Sequence, residues 1–291
     1  MTLDPILQLP PAVLYLFCLL VGAAIGSFLN VVIYRLPVML EREWGSQCRE
    51  LLELEQPEDE PKKFNLVTPA SRCPHCGHGI RAWENIPVVS YLFLKGRCSS
   101  CNAAISPRYP LVEFFTAMLS LLVVMHFGFT LQAVAALFLT WALIALSLID
   151  FDHKLLPDVI VIPFVWLGLL LSMSGIFTDM ESAIIGAVAG YLSLWIVFQL
   201  FRLITGKEGM GYGDFKLFAL FGAWLGWQHL AQIILLSSVV GAVLGLVLII
   251  VRGRDRTIPI PFGPYLAIAG WISLLWGDEI NHAYLTWAGL V

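Results

Sequence analysis

Charged residues are scarce in this sequence. Asp, Glu, Lys and Arg make up 13% of the 291 residues, whereas hydrophobic residues make up 58% and the mean hydropathy is +0.81. Soluble globular domains carry about 25% charged residues, so the composition excludes an ordinary soluble protein. A membrane protein is predicted, with the lipid bilayer as its environment and no nucleic-acid partner.

Long apolar runs support that prediction. About 20 apolar residues are needed to cross the hydrocarbon core of a bilayer. Eight runs qualify as predicted spans: 12–34, 111–128, 131–149, 159–177, 183–201, 215–229, 231–251 and 262–277. The runs 215–229 and 262–277 are the weakest, because both are short and Gly263 and Pro264 interrupt the second. For these two a buried or re-entrant segment remains an alternative.

Lys and Arg are absent from one side of the predicted membrane. If all eight runs span, all 17 basic residues lie on the opposite side or within two residues of a span end there. The segments on that side are 35–110, 150–158, 202–214 and 252–261. The positive-inside rule makes this side cytoplasmic and places both termini outside. The first run lacks a basic n-region and is too long for an h-region, which predicts a retained span and not a cleaved signal peptide.

Residues 37–110 form the one sizeable soluble segment. Its first part, 38–56, is predicted to be a helix that lies along the membrane surface or packs against the protein, followed by a Pro- and acid-rich turn at 57–63. In the span before it, Ser27 and Asn30 are predicted to make helix–helix hydrogen bonds beside small residues, in preference to contacting a substrate.

Four cysteines in this segment carry a metal-site pattern. Cys73 and Cys76 form one C-x2-C pair, Cys98 and Cys101 form another, and 21 residues separate the pairs. Such pairs bring four thiolates to one tetrahedral ion, so structural zinc is predicted. Disulfides are the alternative, but they rarely persist in the reducing cytoplasm. His75 and His78 are available to replace a cysteine ligand.

Acidic residues at the membrane edge are the candidates for chemistry. Asp150, Asp152 and Asp158 lie in "LIDFDHKLLPD", and Asp214 lies in "GMGYGDFK". The predicted topology puts both stretches at the cytoplasmic surface. Two adjacent carboxylates share a proton, so that one activates a water and the other protonates a scissile carbonyl. The alternatives are a helix cap for Asp214, a first-turn position for Asp158 and a solvated pair of Asp152 with Lys154.

The glycines beside Asp214 fit such chemistry. Gly209, Gly211 and Gly213 remove side chains from this stretch, so an extended peptide or the partner aspartate is predicted to approach the backbone closely.

These motifs together resemble those of the type IV prepilin peptidases, which are GxGD-type intramembrane aspartic proteases. The matching stretches are "GYGDFK", "IDFDHKLLPD", "GSFLNVVIYRLP", "RYPLVE", "PIPFGPYLAIAG" and the four-cysteine block. The resemblance implies that Asp150 and Asp214 are the catalytic dyad. The intact cysteine block implies the bifunctional form of the family.

The resemblance also implies an activity and a location. Such enzymes remove the basic leader from type IV prepilins and pseudopilins at the cytoplasmic face of the bacterial inner membrane, between a glycine and usually a phenylalanine. They then methylate the new N-terminal amine with S-adenosylmethionine.

No sequence motif identifies the methyl-transfer site. A glycine-rich nucleotide loop is absent, and a soluble segment of this size excludes a Rossmann methyltransferase domain. Gly96 and Glu113 are the candidate residues within the region to which the family assigns methylation. The alternatives are a turn for Gly96 and, for Glu113, an ion pair with Arg108 or a helix-start charge.

The predicted architecture is an all-α polytopic membrane protein of about eight transmembrane helices with a small cytoplasmic zinc domain inserted after the first. Its predicted parts are 1–36 (first transmembrane helix), 37–110 (zinc domain) and 111–291 (peptidase). A transporter and a non-catalytic assembly factor with a zinc docking module are the rival functions. The central thirds of the spans lack Asp, Glu, Lys and Arg, which disfavours a transporter.

Overall fold

A computed structural model describes residues 10–54, 64–252 and 261–289, with the backbone alone for 244–252. The helices are α1 (Pro11–Leu51), α2 (Val89–Phe93), α3 (Arg108–Phe127), α4 (Leu131–His153), α5 (Asp158–Ser172), α6 (Met180–Thr205), α7 (Tyr212–Leu225), α8 (Leu230–Arg252) and α9 (Gly263–Trp287). Within the described ranges there are two isolated β-bridges and no strand. The all-α prediction is confirmed, and the predicted turn at 57–63 lies outside the described residues.

Each of the eight predicted spans falls on one of these helices. Among the described residues, α1, α3, α4 and α6 are long and apolar enough to cross a bilayer. Two further apolar stretches, Asp158–Ser172 and Trp227–Val243, are shorter. The helical membrane architecture is confirmed, whereas the count of eight spans stays a prediction.

Helix α1 continues well beyond the first predicted span. It runs for 41 residues with Pro37 inside it, so the predicted helix at 38–56 is not a separate element but the end of α1. The loss of apolar character after residue 36 suggested a boundary there. A helix needs no hydrocarbon to continue, however, and half of residues 38–51 are Leu, Glu or Arg, which favour helix. The division into three parts stays a prediction.

The described chain forms two compact units, which meet in sequence between Trp141 and Ala142. In the N-terminal unit, α1 and α3 approach closely at two glycines. A Cβ on Gly22 would lie 2.8 Å from the Ala117 Cα, and one on Gly26 would lie 2.7 Å from the Glu113 Cα. The Asn30 amide donates a hydrogen bond to the Tyr109 carbonyl at 3.1 Å, which is the helix–helix bond predicted for it.

Helix α7 lies at the centre of the C-terminal unit. From Phe215 to Leu225 every side chain except Lys216 is buried. Its 14 residues extend about 21 Å at 1.5 Å per residue. That is shorter than the hydrocarbon core, and a short helix is stable at membrane depth where other protein helices surround it.

Glycines bring the neighbouring helices onto α7. A Cβ on Gly222 would lie 2.0 Å from the carbonyl oxygen of Gly186 on α6, so these two backbones are in direct contact. On α5, a Cβ at Gly168 would lie 2.4 Å from the Trp224 ring, and on α9 one at Gly270 would lie 2.1 Å from Phe221. The position of α7 therefore depends on the absence of side chains at these crossings.

Gly222→Ala is expected to destabilise the C-terminal unit, because the added methyl group overlaps backbone atoms that cannot move independently. Overpacking of this kind costs about 1–3 kcal/mol, measured as a lower thermal unfolding temperature in detergent. Gly45→Ala is the control, since a Cβ there would meet only the Arg49 guanidinium at 3.9 Å. Equal unfolding temperatures for the two variants would contradict the assigned crossing.

Candidate functional site

The two cysteine pairs lie in two turns of the same construction. In the first, the Cys73 carbonyl accepts from the Gly77 N–H at 2.9 Å, and in the second the Cys98 carbonyl accepts from the Asn102 N–H at 3.0 Å. Gly77 and Asn102 have positive φ angles of 71° and 57°. Glycine and asparagine tolerate this conformation best, which explains why these two residue types occupy the last position of the two turns.

The four sulfurs converge on one point. All four Sγ atoms lie within 4.8 Å of one another, with Cys73 and Cys101 3.8 Å apart and Cys76 and Cys98 4.0 Å apart. Two sulfurs about 2.3 Å from one tetrahedral zinc lie about 3.8 Å apart. A disulfide needs a sulfur–sulfur distance of about 2 Å, and all four cysteines are free. The donor set therefore fits zinc.

The local electrostatics of the cluster also favour a cation. Backbone N–H groups, that of Cys76 foremost, lower the pKa of the Cys73 thiol to about 7. At Cys101 the Ala103 backbone acts in the same direction, but the neighbouring thiols outweigh it and raise the pKa to about 12. The four thiolates cannot all form without a positive charge between them, and a metal ion supplies that charge.

His78 takes a different role from the ligand replacement considered for it. Its Nε2 lies 3.3 Å from Glu84 Oε2 and 3.4 Å from the Ser99 hydroxyl. Glu84 also accepts from the Ser99 hydroxyl at 2.5 Å and from the Arg81 N–H at 2.8 Å. The Arg81 N–H is the main cause that lowers the pKa of Glu84 below its ordinary value. Glu84 thereby joins the two cysteine turns, a role that the sequence did not indicate.

The wild-type protein is expected to contain about one zinc per chain, the count for one closed tetrahedral site. Cys73→Ser is expected to lose it, because three thiolates and a hydroxyl bind zinc far more weakly. Metal analysis of the purified protein measures both, and Cys48→Ser, at an exposed cysteine outside the cluster, is the control that retains zinc. Purified wild-type protein without bound metal would contradict the zinc assignment.

The two predicted catalytic aspartates lie together in the C-terminal unit. Asp150 belongs to the last turn of α4 and is 6% exposed, and Asp214 belongs to the first turn of α7 and is 7% exposed. They are close enough for the charge of Asp150 to repel that of Asp214. Asp152, by contrast, is exposed. Of the three acids around α4, the structure brings Asp150 to Asp214.

Gly263 is the residue of this site that the sequence analysis missed. Its N–H donates to Asp150 Oδ2 at 3.1 Å, and a Cβ on it would lie 2.6 Å from the same oxygen. Only glycine fits at this approach. The sequence signal is Gly263 followed by Pro264, which marks the first turn of α9 as well as an interruption of the apolar run.

The glycines before Asp214 have other neighbours than those predicted. A Cβ on Gly213 would lie 2.8 Å from the Leu156 Cβ, and one on Gly209 would lie 2.8 Å from the Phe201 ring. One on Gly211 would meet nothing closer than the Asp214 carboxylate at 3.8 Å. The residue that approaches Asp150 closely is Gly263, and the close approach of an extended peptide to the stretch of Gly209, Gly211 and Gly213 stays a prediction.

Asp214 and Asp158 each lie in the first turn of a helix. Gly211 is the N-cap of α7, so the alternative of an N-cap role for Asp214 is wrong. Asp158 is the first residue of α5, as considered in its alternative. Both of its carboxylate oxygens accept hydrogen bonds from the Lys216 ammonium, Oδ1 at 2.8 Å and Oδ2 at 2.7 Å. This pair links the start of α5 to the first turns of α7.

The two candidate methyl-transfer residues differ in their surroundings. Gly96 is a turn residue with φ +68°, whose N–H donates to the Tyr91 carbonyl, and a Cβ there would lie 2.9 Å from the Tyr91 hydroxyl. Glu113 is buried and lines a cavity of about 670 Å³ in the N-terminal unit. Gly96 is not part of that lining. A role in methyl transfer stays a prediction for both residues. The geometry favours Glu113, because it is buried and lines the cavity.

Comparison with known proteins assigns both parts of the chain. Residues 20–127 match the bacterial peptidase A24 N-terminal domain, and residues 137–246 match the type IV leader peptidase family. No solved structure matches this chain.

Curated relatives match almost the full length. The prepilin leader peptidase/N-methyltransferase of Pseudomonas aeruginosa is 61% identical over 279 residues, which are 96% of each chain. Proteins of the same name from Stutzerimonas stutzeri and Legionella pneumophila are 59% and 47% identical. The former match covers 96% of each chain, and the latter covers 94% of this chain and 96% of the relative. With identity at this level across both domains, the chain belongs to the type IV leader peptidase family.

Proposed function

We propose that this protein is an enzyme of the bacterial inner membrane with two activities. It cleaves the basic leader from type IV prepilins and pseudopilins, and it methylates the new N-terminal amine with S-adenosylmethionine. The names of its full-length relatives support both activities. The observation that carries the peptidase proposal is that Asp150 and Asp214 are both buried in the C-terminal unit and close enough for their charges to repel.

The proposed chemistry follows from the repulsion between the two carboxylates. Two adjacent carboxylates cannot both ionise, so they hold one proton between them. The ionised member draws a proton from a water, which attacks the scissile carbonyl, and the protonated member donates to the carbonyl oxygen. The Gly263 N–H binds Oδ2 of Asp150, so its other oxygen remains available for the proton transfer.

The cytoplasmic face is the proposed place of cleavage. All 17 Lys and Arg fall on one side of the predicted topology, which supports a cytoplasmic location for that side and the 37–110 loop, with both termini outside. A basic leader stays on the same side as these residues. Zinc at Cys73, Cys76, Cys98 and Cys101 would organise the N-terminal unit, since four cysteine ligands leave no open position for chemistry.

The rival functions fit the buried charges less well. In the described part of the chain, the buried charged side chains are Arg35, Glu113, Asp150 and Asp214. Asp150 and Asp214 lie in helix-terminal turns, whereas transporters place ionisable groups near the bilayer midplane. An assembly factor has no use for two adjacent buried carboxylates, which are unfavourable without a catalytic role.

Asp150→Asn and Asp214→Asn are each expected to lower prepilin cleavage at least about 100-fold, because each removes one acid–base partner at constant shape. Cleavage is measured as the mass change of a prepilin incubated with protein in lipid nanodiscs. Asp152→Asn is the matched control, two residues from Asp150 but exposed, and is expected to cleave normally. Normal cleavage by either variant would contradict the assignment of Asp150 and Asp214 as the catalytic dyad.

Gly263→Ala is expected to reduce cleavage about 10- to 100-fold, because the added Cβ would displace Asp150 Oδ2, and small misplacements of catalytic groups have large effects on rate. Binding of an uncleaved prepilin, tested in an Asp214→Asn background, should change little, which separates lost chemistry from lost substrate binding. Gly45→Ala serves again as the tolerated substitution. Gly263→Ala protein with wild-type cleavage would contradict the assigned contact.

A further inference from the structure

The N-terminal unit contains a cavity of a size that small-molecule ligands occupy. Its volume is about 670 Å³, within the range of about 300–1,000 Å³ for such sites. The walls come from α1, the cysteine turns and the start of α3, and include Ser27, Asn30, Tyr91 and Glu113. The described residues of its lining all belong to the N-terminal unit.

Glu113 presents a carboxylate with spare acceptor capacity to this cavity. The residue is 8% exposed, and its Oε2 accepts from the Val88 N–H at 2.7 Å. The Ser27 hydroxyl also interacts with the carboxylate. An ionised carboxylate has about four acceptor positions, so these two groups leave room for a donor from a ligand.

The backbone that holds Glu113 adopts a rare conformation. Val88 has φ 60° and ψ −46°, and the Val89 N–H donates to the Pro87 carbonyl at 2.5 Å. This is a γ-turn of the positive-φ kind, which is rare and which a β-branched residue adopts only under strain. The turn directs the Val88 N–H at Glu113. Strained backbone of this sort concentrates at functional sites.

Among the described residues that line the cavity, the other carboxylate, Glu84, is already engaged. Glu84 binds the Arg81 N–H, the Ser99 hydroxyl and His78. The remaining ionisable residues of the lining are Arg35, Arg72, Cys73, His75, Cys98 and three tyrosines, Tyr34, Tyr91 and Tyr109. Arg35 uses its guanidinium to bind the Asn65 and Pro69 carbonyls. Glu113 is therefore the carboxylate of this cavity that is placed to bind a cation.

We propose that Glu113 binds the α-ammonium group of the cleaved pilin and accepts its proton before methyl transfer. The inference rests on the proposed methyltransferase function and assigns the step in which the amine becomes a nucleophile. A new N-terminal amine has a pKa of about 7.7–8.0, so near pH 7 most of it is protonated and lacks the lone pair that attack requires.

The atoms of the step balance. One proton passes from the ammonium nitrogen to a Glu113 oxygen, and the freed lone pair forms the bond to the methyl carbon of S-adenosylmethionine while the bond from that carbon to sulfur breaks. The sulfur leaves as a neutral thioether, and the product amine carries the positive charge. The proton then leaves Glu113 for solvent, which restores the carboxylate.

The position of Glu113 suits such a substrate. It is the sixth residue of α3, a candidate membrane span, and it faces Ser27 in the apolar part of α1. Cleavage at the cytoplasmic face, as proposed above, leaves the new amine at the membrane boundary. Both groups therefore belong to the edge of the hydrocarbon region, and a buried carboxylate there has a cation as its natural partner.

The first test requires no methyl donor. Full-length protein in nanodiscs is titrated with a mature pilin N-terminal peptide bearing a free amine and with the same peptide N-acetylated. Wild-type protein is expected to prefer the free amine at least about tenfold, the effect of one charge-assisted hydrogen bond. Glu113→Gln, which can still accept from Val88, is expected to lose the preference. Glu50→Gln, at an exposed position of α1, is the matched control.

The second test follows the proton. With S-adenosylmethionine and the pre-cleaved peptide, Glu113→Gln is expected to methylate about 100-fold more slowly than wild type at pH 7. The deficit should shrink above pH 8, where the amine deprotonates by itself. A variant that had only lost structure would show the same deficit at every pH, and that result would overturn the proposal.

The outcomes separate the two proposals. Wild-type protein that transfers no methyl group to the free amine would overturn the methyltransferase function itself. Wild-type protein that methylates normally, together with a Glu113→Gln variant that matches it in amine preference and pH profile, would overturn the role of Glu113 alone. If Glu113→Gln does not fold, the affinities of the wild-type protein for the two peptides still test the proposal. Equal affinities would overturn it.

Discussion

The backbone contact between Gly186 and Gly222 is the constraint on which the C-terminal unit depends. Because α6 and α7 touch without intervening side chains, α7 reaches the centre of the unit, where Phe215, Leu217 and Leu220 are fully buried. The first turn of the same helix carries Asp214. The depth of the carboxylate is thus determined some eight residues away, by the absence of two Cβ atoms.

Both units stabilise a buried carboxylate in the same manner. Asp150 accepts from the N–H of Gly263, and Glu113 accepts from the N–H of Val88. In each case the donor comes from a turn or a helix start and not from a basic side chain. A backbone donor satisfies one oxygen without adding a full positive charge, so the carboxylate remains able to exchange protons. An Arg or Lys partner would have held the same group as a permanent ion pair.

The sequence predicted the features that depend on local pattern. Apolar runs, the spacing of Cys73 with Cys76 and Cys98 with Cys101, and the two Asp motifs each need only neighbouring residues to be recognised. The contact of Gly263 with Asp150 joins residues 113 positions apart, and it depends on packing that no local pattern specifies. The same holds for the Val88 bond to Glu113. Helix α1 shows the opposite error, because the change of composition after residue 36 predicts a boundary between two helices where the structure has one continuous helix.

The length of α1 gives the N-terminal unit a mechanical property. Its 41 residues extend about 60 Å, roughly twice the thickness of the hydrocarbon core. Beyond the apolar part, Arg35 binds the carbonyls of Asn65 and Pro69, and the Arg42 guanidinium lies 4.4 Å from the Phe64 ring centroid. These contacts attach the segment that leads to the cysteine turns to the part of α1 that follows its apolar stretch. Since bilayer thickness influences the tilt of a membrane helix, a change in the tilt of α1 would carry this segment and the α1 wall of the cavity with it.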